Sequence, residues 1–239
     1  FSKTSHVNPA HPKASDDNPG TEGAPFQTIN RAAQVVQPGE RVVIAAGTYR
    51  ERVCPARSGT GPGRMIGYEA APGAEVVLKG SRMLKGKWVA TGENAKPGSP
   101  TVWKTKMPAE LFPGENPFAL VNLTDAQIDR CMPWAVPIKG KLPNTLRRGL
   151  VFQDGRRLKQ VASRDKLKEA AGTYWVEPDG LGLCVRPFGH TDPSRATWEV
   201  TVLGTVFAPK DYGLGYLRIK GLVIEHCGNC FPRPQQGAL

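Results

Sequence analysis

The sequence predicts an all-β fold in which short parallel strands wind into a coil, entered through one amphipathic helix and interrupted by an antiparallel β-rich insertion. Three observations predict it. The 239 residues include 27 Gly and 22 Pro, a composition suited to a chain that turns every few residues. The apolar residues fall in short β-branched runs closed by Gly or Pro corners. In the N-terminal part, a helical period shows at one place only, Pro25 to Val36.

Asp16-Asp17-Asn18-Pro19-Gly20-Thr21 is dense turn chemistry, because Asx side chains bond the local backbone, Pro fixes φ and Gly tolerates positive φ. Beyond it, Phe26, Ile29, Ala32, Ala33 and Val36 share one helical face. Thr28 is placed to cap the start, and Gln37-Pro38-Gly39 ends the helix. The run Arg41 to Ala46 reads as a buried strand and Thr48 to Val53 as a second, with further short strands at Arg64–Tyr68 and Glu75–Leu78 around the corner Ala71-Pro72-Gly73. Strands this short with such corners suit a coil of parallel strands.

From about Met83 to Gly213 the pattern changes to hairpins. Leu150–Gln153, Asp154-Gly155 and Arg156–Val161 form one antiparallel signal; Thr173–Val176, Pro178-Asp179-Gly180 and Leu183–Arg186 form a second. Thr197–Val202 with Val206-Phe207 extends the series, and a short helix is expected near Arg164–Ala170. Tyr216 to His226 then returns to the earlier style. Its alternation sets Leu217, Ile219, Leu222 and Ile224 inward, and Val223 and Glu225 outward. The expected organisation is therefore residues 1–82 as cap and first coils, 83–213 as insertion and 214–239 as a return to the coil.

The stretch DDNPGTEGAPFQTINRAAQVVQPGERVVIAAGTYRERV, Asp16 to Val53, resembles the opening of pectin-lyase-like, right-handed parallel β-helix proteins. The resemblance implies that the amphipathic helix plugs the open end of the solenoid, and it extends loosely over Arg64 to Gly80. The last stretch, GLGYLRIKGLVIEHCGNCFPRPQQGAL, resembles the first coil after such an insertion in secreted, glycoside-hydrolase-like β-helix proteins. That superfamily holds lyases, hydrolases, epimerases and noncatalytic adhesins, so the resemblance speaks to fold more than to chemistry. It implies a polysaccharide lying along the outer face of one parallel sheet, where side chains on neighbouring strands are about 4.8 Å apart.

On that expectation Glu225 is the catalytic candidate, and Glu225, His226 and Arg233 are the substrate-binding candidates. The plainer readings stand beside them: Glu225 as an ion-pair partner of Arg218, His226 as a hydrogen-bonded corner histidine, and Phe231-Pro232-Arg233-Pro234 as extended loop. Asn229 reads as a corner asparagine. Asp16 and Asp17 lack a third acid at ligand spacing and read as a turn before a Ca²⁺ site. Arg147-Arg148 with Arg156, Arg157 and Lys159 suits a charged edge that blocks strand-to-strand aggregation, or a polyanion contact. The tryptophans suit a subdomain core, with sugar stacking as the alternative.

The net charge of +11 makes polyanions plausible partners, but the basic residues are dispersed and no nucleic-acid motif appears. Nothing approaches the apolar length of a membrane span. The five cysteines, an odd number, argue against a fully paired framework, and Cys227 with Cys230 is a lone CxxC. There is no GxSxG, HExxH, P-loop or GxGxxG leading into a helix. The functional expectation is a secreted or periplasmic carbohydrate-active protein. It is read as a glycoside hydrolase with paired carboxylates mostly beyond Leu239, needing no cofactor and no metal. The alternatives are a lyase for acidic glycans, with Ca²⁺ as its cofactor, and a noncatalytic carbohydrate-binding or surface-structural protein.

Overall fold

The computed structural model describes residues 1–91, 101–120, 146–190, 192–209 and 211–228. In chain order the elements are β1 (Thr4–Val7), α1 (Ile29–Val35), β2 (Arg41–Ile44), β3 (Gly47–Tyr49), β4 (Ile66–Ala70), β5 (Val76–Lys79), β6 (Ser81–Met83), β7 (Val89–Thr91) and β8 (Val102–Lys106). They continue with β9 (Val151–Gln153), β10 (Arg156–Arg157), β11 (Lys159–Gln160), β12 (Thr173–Val176), β13 (Gly182–Arg186), β14 (Trp198–Thr201), β15 (Leu217–Lys220) and β16 (Leu222–Glu225). The protein is all-β, with α1 the one α-helix among the described residues. No helix among them is long and apolar enough to cross a membrane. The chain divides into two units: Phe1–Gly80 with Thr205–Glu225, and Ser81–Gly204 with the stretch that starts at His226.

The first unit holds two sheets, ordered β1-β2-β4-β15 and β3-β5-β16, in which every pairing is parallel. Three successive passes of the chain, β2 to β3, β4 to β5 and β15 to β16, each place one strand in the first sheet and the next in the second. Strand alternation explains the interior. Val42, Tyr68 and Ile219 are in register across one sheet, and Tyr49, Leu78 and Ile224 across the other. Val42, Ile44, Ile66, Tyr68, Val76 and Leu78 are fully buried. Each aliphatic side chain so buried contributes about 1.5–3 kcal/mol.

Helix α1 is too short to persist alone and depends on its surroundings. Ile29, Ala32 and Ala33 form its buried face. Thr28 Oγ1 accepts from Arg31 N–H at 3.1 Å as the N-cap. The two oxygens of Glu51 accept from Ile29 N–H at 3.0 Å and Asn30 N–H at 2.8 Å, which satisfies amide donors that a helix start leaves orphaned. Asp16 takes the N–H groups of Gln27 and Thr28 and the Thr28 hydroxyl, so its oxygens are spent on fastening the turn to the helix start. Burial pushes the Glu51 carboxyl above its usual range, against the two backbone hydrogen bonds that lower it.

The second unit holds the sheets β10-β9-β14-β6 and β11-β12-β13-β8-β7. All pairings are antiparallel except β11 with β12, which run parallel. Val151, Trp198 and Val200 from the first sheet and Tyr174, Leu183 and Val185 from the second join one apolar core. Trp198 is buried and tilts against Trp88 at 4.8 Å between ring centroids, which places both in packing. The Asp154-Gly155 turn has φ of 51° and 76°, the left-handed pair a two-residue hairpin requires.

Several local expectations change. The run Arg156–Val161 is two strands in different sheets, because buried Leu158 turns into the core between them and its N–H bonds Val151 O at 2.9 Å. The segment Arg164–Lys168 is a 3₁₀ turn anchored by buried Leu167 in place of a longer helix. Val206-Phe207 leaves the antiparallel series: Phe207 bridges Val53 in parallel and packs edge-on to Tyr68 at 5.1 Å, inside the first unit. Of the basic cluster, Arg156 and Arg157 form edge strand β10, with Arg156 over the Phe188 ring at 3.9 Å, Lys159 begins edge strand β11, and Arg147 donates to Ala119 O at 2.8 Å. Trp134, Cys131, Asn229 and Cys230 lie outside the described residues.

Candidate functional site

The outward side chains of the first parallel sheet form two rows whose members follow from register. One row is Thr4, Arg41, Gly67 and Arg218; the other is His6, Val43, Glu69 and Lys220. With strands about 4.8 Å apart, each row spans roughly 14 Å from β1 to β15. Over these rows lies a groove of about 720 Å³ lined by Thr4, His6, Arg41, Val43, Glu69 and Lys220, with the corner Ala71-Pro72-Gly73-Ala74 as one wall.

Glu69 anchors the groove. Its side chain is only 12% exposed, and Arg41 Nη1 reaches its Oε2 at 3.5 Å while Arg218 Nε approaches Oε1 at 3.3 Å. That Oε1 is sealed from solvent without a well-aligned hydrogen-bond donor. Arg41 is steadied from its other side, donating through Nε to Thr4 Oγ1 at 3.0 Å and lying over the Phe1 ring at 5.8 Å. The Phe1 ring also covers Gly67, where a Cβ would meet Phe1 Cζ at 2.8 Å, so a larger residue at that row position would have to displace the ring. Arg41, Arg218 and Lys220 thus stand around a single carboxylate.

The candidates named from the sequence fall elsewhere. Glu225 lies on β16 in the second parallel sheet, where its carboxylate meets Lys79 Nζ at 2.9 Å; Arg218 turns to Glu69. The Lys79 partner is set by register, since Glu225 sits directly beside Lys79. His226 follows at φ 60°, a left-handed conformation uncommon for a residue with a Cβ. Its ring stacks on Phe152 at 3.6 Å and 13°, and its carbonyl accepts from Thr201 Oγ1 at 3.1 Å. Ser81 Oγ donates to buried Glu199 Oε2 at 2.6 Å, and His226 Nδ1 lies 3.1 Å from Ser81 Oγ and 3.3 Å from Glu199 Oε2. Ser81 and Glu199 are buried and the His226 side chain is only 9% exposed, which leaves little room for a substrate, so the trio pins structure. Arg233 lies outside the described residues.

The groove residues were legible in one respect. Arg41, Glu69, Arg218 and Lys220 all occupy outward parity in their strands. What the alternation could not say is that these four segments stand side by side.

A family model described as a protein of unknown function, DUF1565, matches residues 13–55, which contain α1, β2 and β3. No curated protein matches the chain. A solved glycoside hydrolase is similar in fold, with a TM-score of 0.57 at 16% identity over 95% of this chain and 51% of that one. The solved complex of XylC with xylose is similar with a TM-score of 0.79 at 25% identity. That likeness covers 99% of this chain and 38% of XylC, so the chain spans a little more than a third of the length of that protein.

Proposed function

We propose that the protein is a secreted carbohydrate-active protein whose first unit forms the opening coils of a right-handed parallel β-helix, capped by α1 and interrupted by the antiparallel second unit. The likeness to XylC over 99% of the chain carries this reading. The repeated passes between two all-parallel sheets support the helix, and the groove on the first sheet supplies a place for a glycan. The activity is glycoside hydrolysis. That reaction needs two carboxylates flanking the scissile bond, and the groove offers only Glu69, held between two guanidinium groups. The groove therefore binds glycan, and the cleaving pair belongs to residues other than these.

Incubation of the full-length protein with a panel of plant and algal polysaccharides tests the proposal. Release of reducing ends without unsaturated-uronate absorbance is the expected result. Unsaturated-uronate absorbance would replace hydrolysis by elimination, and binding without product would leave a noncatalytic carbohydrate-binding protein. No binding to any glycan overturns the reading.

A further inference from the structure

We propose that the groove on the first parallel sheet is a subsite for an anionic sugar substituent, a carboxylate or sulfate, gripped by Lys220 with Arg41 and Arg218 fixed beside it. The inference rests on the groove being the glycan-binding surface and goes further by naming the charge of what it takes.

Charge and geometry argue for it together. Arg41 and Lys220 line the groove, Arg218 stands on the same face in the neighbouring row, and Glu69 is the one carboxylate among the described lining residues. Glu69 holds both guanidinium groups, which fixes them in place and leaves a net positive face. Lys220 is exposed, lines the groove and makes no ion pair among the described residues. Register places it directly beside Glu69, at the end of the row that begins with His6. The rest of the lining is mostly small: Ala70, Ala71, Gly73, Ala74 and Gly221 carry at most a methyl group, with Pro72 the one larger residue of the corner. A groove of one sign concentrates counter-ions of the other, and does so less as salt rises. The row also spans several strand spacings, which suits a charged substituent presented on a glycan better than a free ion.

The test compares a neutral xylo-oligosaccharide with the same oligosaccharide carrying one uronate side group, titrated calorimetrically into the full-length protein at low and high salt. The expected result is binding about tenfold tighter for the charged sugar at low salt, with the preference shrinking at high salt. Lys220→Glu and Lys220→Gln should abolish the preference, and Lys85→Glu, an exposed lysine of the second unit, should leave both affinities as they are. Equal affinity for the two sugars overturns this inference and leaves the carbohydrate reading standing. Failure of both to bind overturns the two together. Displacement of the charged sugar by inorganic sulfate at equimolar concentration would mark a free-anion site and overturn the sugar-borne claim. The salt dependence keeps the test decisive even if a variant misfolds.

Discussion

The interior of the parallel unit is mostly hydrocarbon stacked in rows, with Ser5 and Glu69 its buried polar strand residues, and most of its charges stand outside in rows of their own. The antiparallel unit instead draws polar groups inward: Ser81, Gln153, Thr173, Glu199 and Thr201 are all buried there. Two tyrosines show the contrast at single-atom scale. Tyr174 in the antiparallel unit donates its hydroxyl to Gly149 O at 2.6 Å, whereas Tyr68 in the parallel unit is equally buried with its hydroxyl unpartnered among the described residues. The difference is one of neighbours. A parallel row meets the same kind of side chain from each pass, leaving an interior with few acceptors. A sandwich assembled from hairpins meets different side chains across each strand pair and completes some polar networks, while Thr105 Oγ1, Arg148 Nε, Gln160 Nε2 and Arg186 Nε stay unpartnered among the described residues.

That contrast can be broken experimentally. The largest effect is expected at Glu199, which binds Ser81 and His226 in the second unit. Glu199→Leu leaves both partners short of an acceptor and should cost about 3 kcal/mol in urea unfolding followed by tryptophan fluorescence. A loss below about 1 kcal/mol would mean that the trio is not the pin described. Next come the tyrosines. Tyr174→Phe should cost about 1–2 kcal/mol, while Tyr68→Phe should be neutral or slightly stabilising, because it removes a buried hydroxyl with no bond to lose. Equal losses in the two variants would erase the distinction between the units.

Glu51 sharpens the comparison from within the parallel unit, as a buried carboxyl fastened to α1. Its folded pKa is raised above the usual 4.5 by burial, so the folded state holds the proton more tightly than the unfolded chain. Stability from this group therefore falls as pH climbs from about 4.5 through the raised value. Glu51→Gln should flatten that slope and, at neutral pH, change stability by about 1 kcal/mol or less, because it sacrifices one acceptor while relieving a desolvated charge. Thermal melts across that pH range read it directly; an unchanged slope would remove Glu51 as the source. The smallest effect is at the Lys79–Glu225 pair, 17% and 38% exposed. Lys79→Ala should cost a few tenths of a kcal/mol and lose even that in high salt.

Much of the fold was legible because it is written locally. The face of α1 follows from the spacing of Ile29, Ala32 and Ala33, the Asp154-Gly155 turn from its demand for two left-handed residues, and the inward set Leu217, Ile219, Leu222 and Ile224 from alternation. Where reading failed, a distant partner decided the outcome. Arg156–Val161 looks like one strand until Leu158 is seen to enter the core, and Val206-Phe207 looks like a hairpin extension until Val53 is seen beside it.

The amino-acid order by itself determined the all-β character, the position of the helix and the corners. It did so because backbone sterics and side-chain period act over a few residues. Only the tertiary structure decided that Glu69 gathers Arg41 and Arg218, that Lys220 completes the groove and that Glu225 goes to Lys79. Those choices depend on strand register between segments far apart in the chain, and alternation assigns a side chain to a face without naming its neighbour.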